Sequence, residues 1–229
     1  MDATESETGP NLLGFRINHR TMRADTRRLA DLLNRVATGQ ITYDRRRAGA
    51  LRTYVSLLCD GVHHHHRMED EVLWPVLARS ASGEIDLREL SDDHAALEPV
   101  LTETRAAVDD LLAVVTSGDE AGERTRVAAG RLAAALAHLR DLLDEHIEEE
   151  ERLVFPVIRR YVSVEDWNAV ERAVRRGGAL RFELPRIERY AEPDELAELT
   201  RTAGPVLRLM LAALRPGFRR REALVFGGG

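Results

Sequence analysis

The chain has 229 residues, 44% hydrophobic, 31% charged and 5% aromatic, with a formal net charge of −6. That is room for one good-sized domain, or one domain with an extension, and a composition rich in Leu and Ala but poor in aromatics favours helices over a β protein. The negative charge disfavours nucleic acid as a partner; the single cysteine, Cys59, excludes an internal disulfide and a cysteine-based zinc site; and no signal peptide or apolar run near the ~20 residues of a membrane span is visible, so a cytoplasmic protein without a transmembrane segment is the default expectation.

Residues 1–12 are polar and lack periodicity, and read as a disordered start. Four long segments with helical spacing follow. The first runs from about Asn18 to Thr38, with Met22, Leu29, Leu33 and Val36 on one face and Gly39 as its stop. The second runs from about Asp44 to Arg79, where Pro75 should kink it or end its regular part. The third spans about Leu87 to Thr116 and the fourth about Glu123 to Tyr161. Four amphipathic helices with short connections predict an all-α fold, an up-down four-helix bundle over residues 13–162. Residues 163–229 read as a helical C-terminal extension. Ser163 to Asp166 forms a capping box that opens a short helix. Further helices are expected from about Pro193 and from Pro205 to Leu214, closed by Pro216 and the Gly-rich end.

Two stretches align without gaps. His65-His66-Arg67-Met68-Glu69 leads to Trp74-Pro75, and His146-Ile147-Glu148-Glu149-Glu150 leads to Phe155-Pro156. Histidine and glutamate at i and i+4 share one helix face. Both pairs continue apolar stripes, so both point at the core, where an ionised carboxylate is costly unless it is paired or coordinates a metal. His19 and His94 lie on the inward faces of the first and third helices. Two antiparallel hairpins related by a pseudo-twofold axis would bring these four imidazoles and two carboxylates together at mid-bundle. That is a ligand set for two metal ions, with the glutamates able to bridge. Mixed nitrogen and oxygen ligation with open positions suits non-haem iron better than structural zinc.

With this double His-x-x-x-Glu repeat, its aromatic-Pro endings and the two single histidines, the chain resembles the hemerythrin-like proteins with the HHE cation-binding domain. The resemblance covers residues 13 to 161. It implies His19, His65, Glu69, His94, His146 and Glu150 as ligands of two oxo- or hydroxo-bridged non-haem iron ions. One departure stands out. Oxygen-carrying hemerythrins place a His-x-x-x-His pair on the third helix, whereas the residue four after His94 is Glu98. Either one coordination position is left open or Glu98 fills it. This weakens reversible oxygen storage as a role relative to reaction with O2, peroxide or NO, or redox sensing.

The remaining residues read more plainly. His63, His64 and His66 lie at other helical angles than His65 and read as a solvated polar run. His138 reads as structural, Trp74 and Phe155 as core plugs, and Tyr54 as a residue that could approach the site from behind the ligands. Three functions follow: binding or sensing of O2, NO or peroxide, with the extension signalling to a protein partner; a di-iron enzyme with peroxidase, catalase-like or oxidase activity; or a zinc-holding structural module. No substrate pocket is evident in the sequence, which favours the first.

Overall fold

The computed structural model describes residues 9–119 and 122–227. Of the expected disordered start, residues 1–8 lie outside the described residues. Residues 9–12 are packed: Pro10 and Leu12 are buried, and the Trp167 indole donates to the Asn11 carbonyl at 2.9 Å.

Helix α1, Leu13–Ala37, starts earlier than its apolar spacing alone suggests. No side chain caps it at Leu12. Its first turn is held by burial of Leu12 and Ile17 and by the Asn11 side-chain oxygen, which accepts from the Leu13 N–H. Helix α2, Arg45–Met68, is capped by the Asp44 carboxylate, which accepts from the Arg47 N–H. It passes directly into a π-helical turn, Glu69–Leu73, and then α3, Trp74–Ser80. Pro75 therefore does not end the helix. A proline lacks the N–H of a regular turn and clashes with the carbonyl behind it. The wider π turn just before it, with the Trp74 N–H reaching the Glu69 carbonyl, takes up that misfit. Helices α4, Arg88–Thr116, and α5, Glu123–Tyr161, follow the expected spans closely.

These helices make an all-helical bundle with no strand among the described residues. Adjacent pairs α1–α5, α4–α5 and α2–α4 pack intimately, but α1 and α2 barely touch. The extension fills that seam. It comprises α6, Val164–Val174, α7, Leu180–Tyr190, and α8, Pro193–Phe226. Ser163 caps α6 by accepting from the Asp166 N–H. Helix α7 was not apparent from the sequence, and α8 runs through Pro216 to Phe226 rather than stopping at Leu214. The reason is packing: Phe182 on α7 and Leu211, Phe218 and Val225 on α8 are buried. Gly204 takes φ of 72° and bends α8, a conformation glycine adopts without steric cost.

A buried polar network locks the extension down. The Arg186 side chain, 1% exposed, donates to Asp25 and to Glu183, each at 2.7 Å. Tyr54 and Tyr190 both donate to the same Asp25 carboxylate. Tyr54 is thus committed to the extension. No described helix is long and apolar enough to cross a membrane.

Candidate metal centre

Along each bundle helix a polar layer interrupts the core. One apolar cluster holds Met22, Val62, Leu97 and Leu143; the other holds Leu12, Leu73, Leu90 and Val154. Between them in sequence lie His19 on α1, His65 and His66 at the end of α2, Glu69 at the start of the π turn, His94 on α4, and His146 and Glu150 on α5. All seven are at most 5% exposed.

Their donor atoms fall into two groups that share Glu69. One is His19, His65, Glu69 and Glu150; the other is His66, Glu69, His94 and His146. The His19 and His65 Nε2 atoms lie 3.0 Å apart, and those of His94 and His146 lie 3.2 Å apart. His65 Nε2 is 2.8 Å from Glu69 Oε1, and His94 Nε2 is 3.4 Å from Glu69 Oε2. His19 Nε2 is 3.3 Å from Glu150 Oε2, which lies 4.0 Å from His146 Nε2.

The two Nε2–Nε2 approaches have the geometry of hydrogen bonds, but the histidine–glutamate approaches do not. Both oxygens of Glu69 and of Glu150, and both ring nitrogens of His66, are buried without a hydrogen-bond partner among the described residues. Lone pairs crowded together in this way are unfavourable unless they converge on a cation. Bonds of ~2.1 Å meeting near right angles would set neighbouring donors ~3.0 Å apart, close to the observed spacings. The residues present therefore fit a pair of metal ions.

The atoms behind the donors repeat with the same pseudo-twofold symmetry. His19 Nδ1 is hydrogen-bonded to Glu151 at 2.8 Å, and His94 Nδ1 lies 3.0 Å from Asp70 without the alignment of a hydrogen bond; each acid directly follows an inward glutamate. His146 Nδ1 faces Asp93 at 3.3 Å, and His65 Nδ1 faces the Asn18 amide at 3.2 Å; each of these directly precedes a single histidine. A carboxylate on Nδ1 fixes the tautomer that turns the Nε2 lone pair inward. Phe155 stacks on His19 and Trp74 on His94, with centroids 6.0 Å apart in both cases. The expected core plugs thus also wall the centre.

Burial and charge pull the protonation states apart. Burial works against a charged His19, but Glu150 and Glu151 outweigh it and raise its pKa to about 9. Burial, with three neighbouring imidazoles, holds His66 well below the ordinary histidine value. Burial opposes a charged Glu69, yet His65 and the other rings keep its pKa well below the usual carboxylate range.

The structure brings all six expected residues together and adds His66, whose helical angle alone predicts a solvated side chain. Its ring stacks on His94 at 4.4 Å and meets His146 edge-on at 5.1 Å. The missed signal is its i,i+3 spacing to Glu69. At about 100° per residue, Glu69 lies ~40° from His65 on one side and ~60° from His66 on the other, so one carboxylate serves both rings. Glu98 does not fill the departure on the third helix. It lies outside both groups, half exposed, with its carboxylate on His63 Nδ1 at 2.5 Å. His64 Nε2 donates to the Val174 carbonyl at the end of α6, and His138 is exposed on α5.

A family model for the hemerythrin HHE cation-binding domain matches residues 15–158, well over half of the chain. No curated protein matches it, and no solved structure does. The matched span begins beside Phe15 at the head of α1, ends at Ile158 in the last turns of α5, and contains every inward histidine and glutamate. The bundle that carries the polar layer is therefore a hemerythrin HHE cation-binding domain, and the chain belongs to the hemerythrin family.

Proposed function

We propose that the protein holds two non-haem iron ions and uses them to bind or sense O2, NO or peroxide. The observation that carries this reading is the sharing of Glu69 by two buried donor groups whose carboxylate oxygens have no hydrogen-bond partner among the described residues. His66, His94 and His146 would hold one ion, and His19, His65 and Glu150 the other, with Glu69 between them. When bound, such a pair supplies redox-active Lewis acids that polarise and reduce small oxygen or nitrogen ligands. The chain's part is to keep Nε2 lone pairs aimed inward through Glu151, Asp70 and Asp93, and to keep bulk water out with Phe15, Phe155 and Trp74.

The donor count is asymmetric. Ile147, fully buried, occupies the position in the second repeat that His66 occupies in the first. One ion would have three imidazoles and the other two, which favours the two-imidazole side as the place where a small ligand enters. The extension, locked to α1 and α2 close to that side, is the route by which a change there would reach a protein partner.

Metal analysis of protein purified without added metal, with spectra in air and after anaerobic reduction, tests the reading. About two irons per chain, with charge-transfer bands that bleach on reduction, is expected. Glu69→Ala and Glu150→Ala should each lose iron while helicity persists. Zinc, or two irons retained in both variants, would overturn it.

One observation favours the enzymatic reading as the second: a cavity reaches His65 and Glu69. Peroxide turnover well above that of free iron would put that reading first.

A further inference from the structure

Past the bend at Gly204, α8 buries Leu211, Phe218 and Val225. At about 100° per residue these three fall within ~40° of one line. The opposite side of the helix faces solvent. From Pro205 to Gly217 it exposes eight residues, and Arg208 is the one charged side chain among them. The others are apolar, with Val206 at 63% and Leu209 at 72% exposure the largest. A solvent-facing helix side is ordinarily polar, and this one is apolar for about three turns.

Charge is distributed as unusually as hydrophobicity. From Arg201 to Arg221 the chain carries six arginines, and all 39 acidic residues lie elsewhere. Arg215 is held by Glu188. Arg201, Arg208, Arg219 and Arg220 are exposed and form no ion pair among the described residues. The turn between α6 and α7 continues the pattern. Leu180, 40% exposed, lines the same cavity as Val206, so the two lie on one side of the extension. No acid stands between Glu171 and Glu183 around it, and the exposed Arg172, Arg176 and Arg181 are likewise without an ion pair among the described residues.

We propose that this face of the extension docks on an anionic lipid bilayer. Val206 and Leu209 enter the headgroup layer, and Arg208, Arg219 and Arg220 meet lipid phosphates. Guanidinium groups suit phosphate oxygens, and an apolar helix side flanked by basic residues lies in the plane of a membrane surface. No described helix is long and apolar enough to span it. A second copy fits less well, because two such faces would oppose their arginines. A protein partner also fits less well. The face has no aromatic side chain and no polar group besides arginine from Pro205 to Gly217, whereas protein interfaces are anchored by Trp, Tyr and Arg within a mixed polar rim. The docking gives residues 163–229 a role that does not depend on the iron reading.

The test is co-sedimentation of the full chain, metal-loaded and metal-free, with phosphatidylcholine vesicles and with vesicles carrying about 30% phosphatidylglycerol. In both forms partition should be at least about tenfold stronger on the anionic vesicles, and should be lost towards ~1 M salt. Val206→Gln with Leu209→Gln, and separately Arg208→Gln with Arg219→Gln, should each weaken it about tenfold. Arg124→Gln with Arg131→Gln removes the same charge from exposed positions on α5 and should change it by less than about twofold. Should the α8 variants fold poorly by circular dichroism, a dye on Ala212→Cys keeps the face intact. Its emission should shift to the blue on anionic vesicles, while a dye on Val127→Cys on α5 should not; Cys59, fully buried, stays unlabelled. Equal partition onto both vesicles, equal loss in the α5 control, undiminished binding in both α8 variants or an unshifted dye at position 212 would overturn the proposal. So would a dimer in sedimentation velocity that Leu209→Gln dissolves, which assigns the face to a second copy. Binding to polyglutamate as tight as to vesicles would assign it to an acidic protein instead.

Discussion

The imidazoles of His66 and His94, 28 residues apart in sequence and on different helices, stack with centroids 4.4 Å apart and planes 12° from parallel. This contact brings a fifth histidine to the centre. It comes from the residue next to His65, whereas the third helix carries Glu98 four residues after His94.

If His66 is a ligand, His66→Ala should lower bound metal from about two to about one per chain. His63→Ala and Glu98→Gln, at the exposed pair outside both donor groups, should leave metal content unchanged. Elemental analysis of the three variants decides between a ligand and a packing role. Full loading of His66→Ala would remove it from the donor set.

Glu151 is hydrogen-bonded to His19 from behind, and Asp70 lies 3.0 Å behind His94. Glu151→Gln and Asp70→Asn keep the shape but weaken that support. Each should reduce metal affinity by ~10–100-fold, read by competition with a chelator. Exchange of Glu149, whose contact is with Arg152 at the surface, should have no such effect.

Removing Arg186 strands Asp25 in the core. Arg186→Ala should cost about 3–5 kcal/mol in urea unfolding and free the extension from the α1–α2 seam. Arg186→Met together with Asp25→Asn should recover part of that loss, since Glu183 is then the one carboxylate of the network left without its cation. Equal destabilisation by the single and the double variant would show that packing, not charge, holds α7.

Burial pushes the Cys59 thiol up to about 12. It should resist thiol reagents at pH 8 in the folded protein and react on unfolding. A raised folded-state pKa leaves stability intact below the unfolded value near 9 and erodes it as pH rises from there towards 12. Cys59→Ala should flatten that part of the pH–stability curve. Rapid labelling of native protein would show that the helix pair around Cys59 opens.

The sequence by itself determined the bundle and six of the seven inward polar residues. Helical periodicity put His19, His65, His94 and His146 on buried stripes, and the i,i+4 spacing aligned each glutamate with its histidine; such relations are local and survive any rearrangement of distant parts. It also carried the spans of α4 and α5 and the cap at Ser163. What only the tertiary structure decided is non-local. His66 looked solvated because its direction relative to His65 is wrong for a partner on the same stripe, yet right for one on α4. The spacing of Glu98 from His94 leaves it open as a ligand or a surface acid, and the fold decides it by pairing Glu98 with His63 at the surface. Helix α7 and the far half of α8 form because Phe182, Arg186, Phe218 and Val225 find partners in a seam that α1 and α2 leave open. No run of residues in the extension announces that seam. The cavity beside Glu69 exists because five helices, α1, α2, α6, α7 and α8, meet there, and a site made by meeting cannot be read from any one of them.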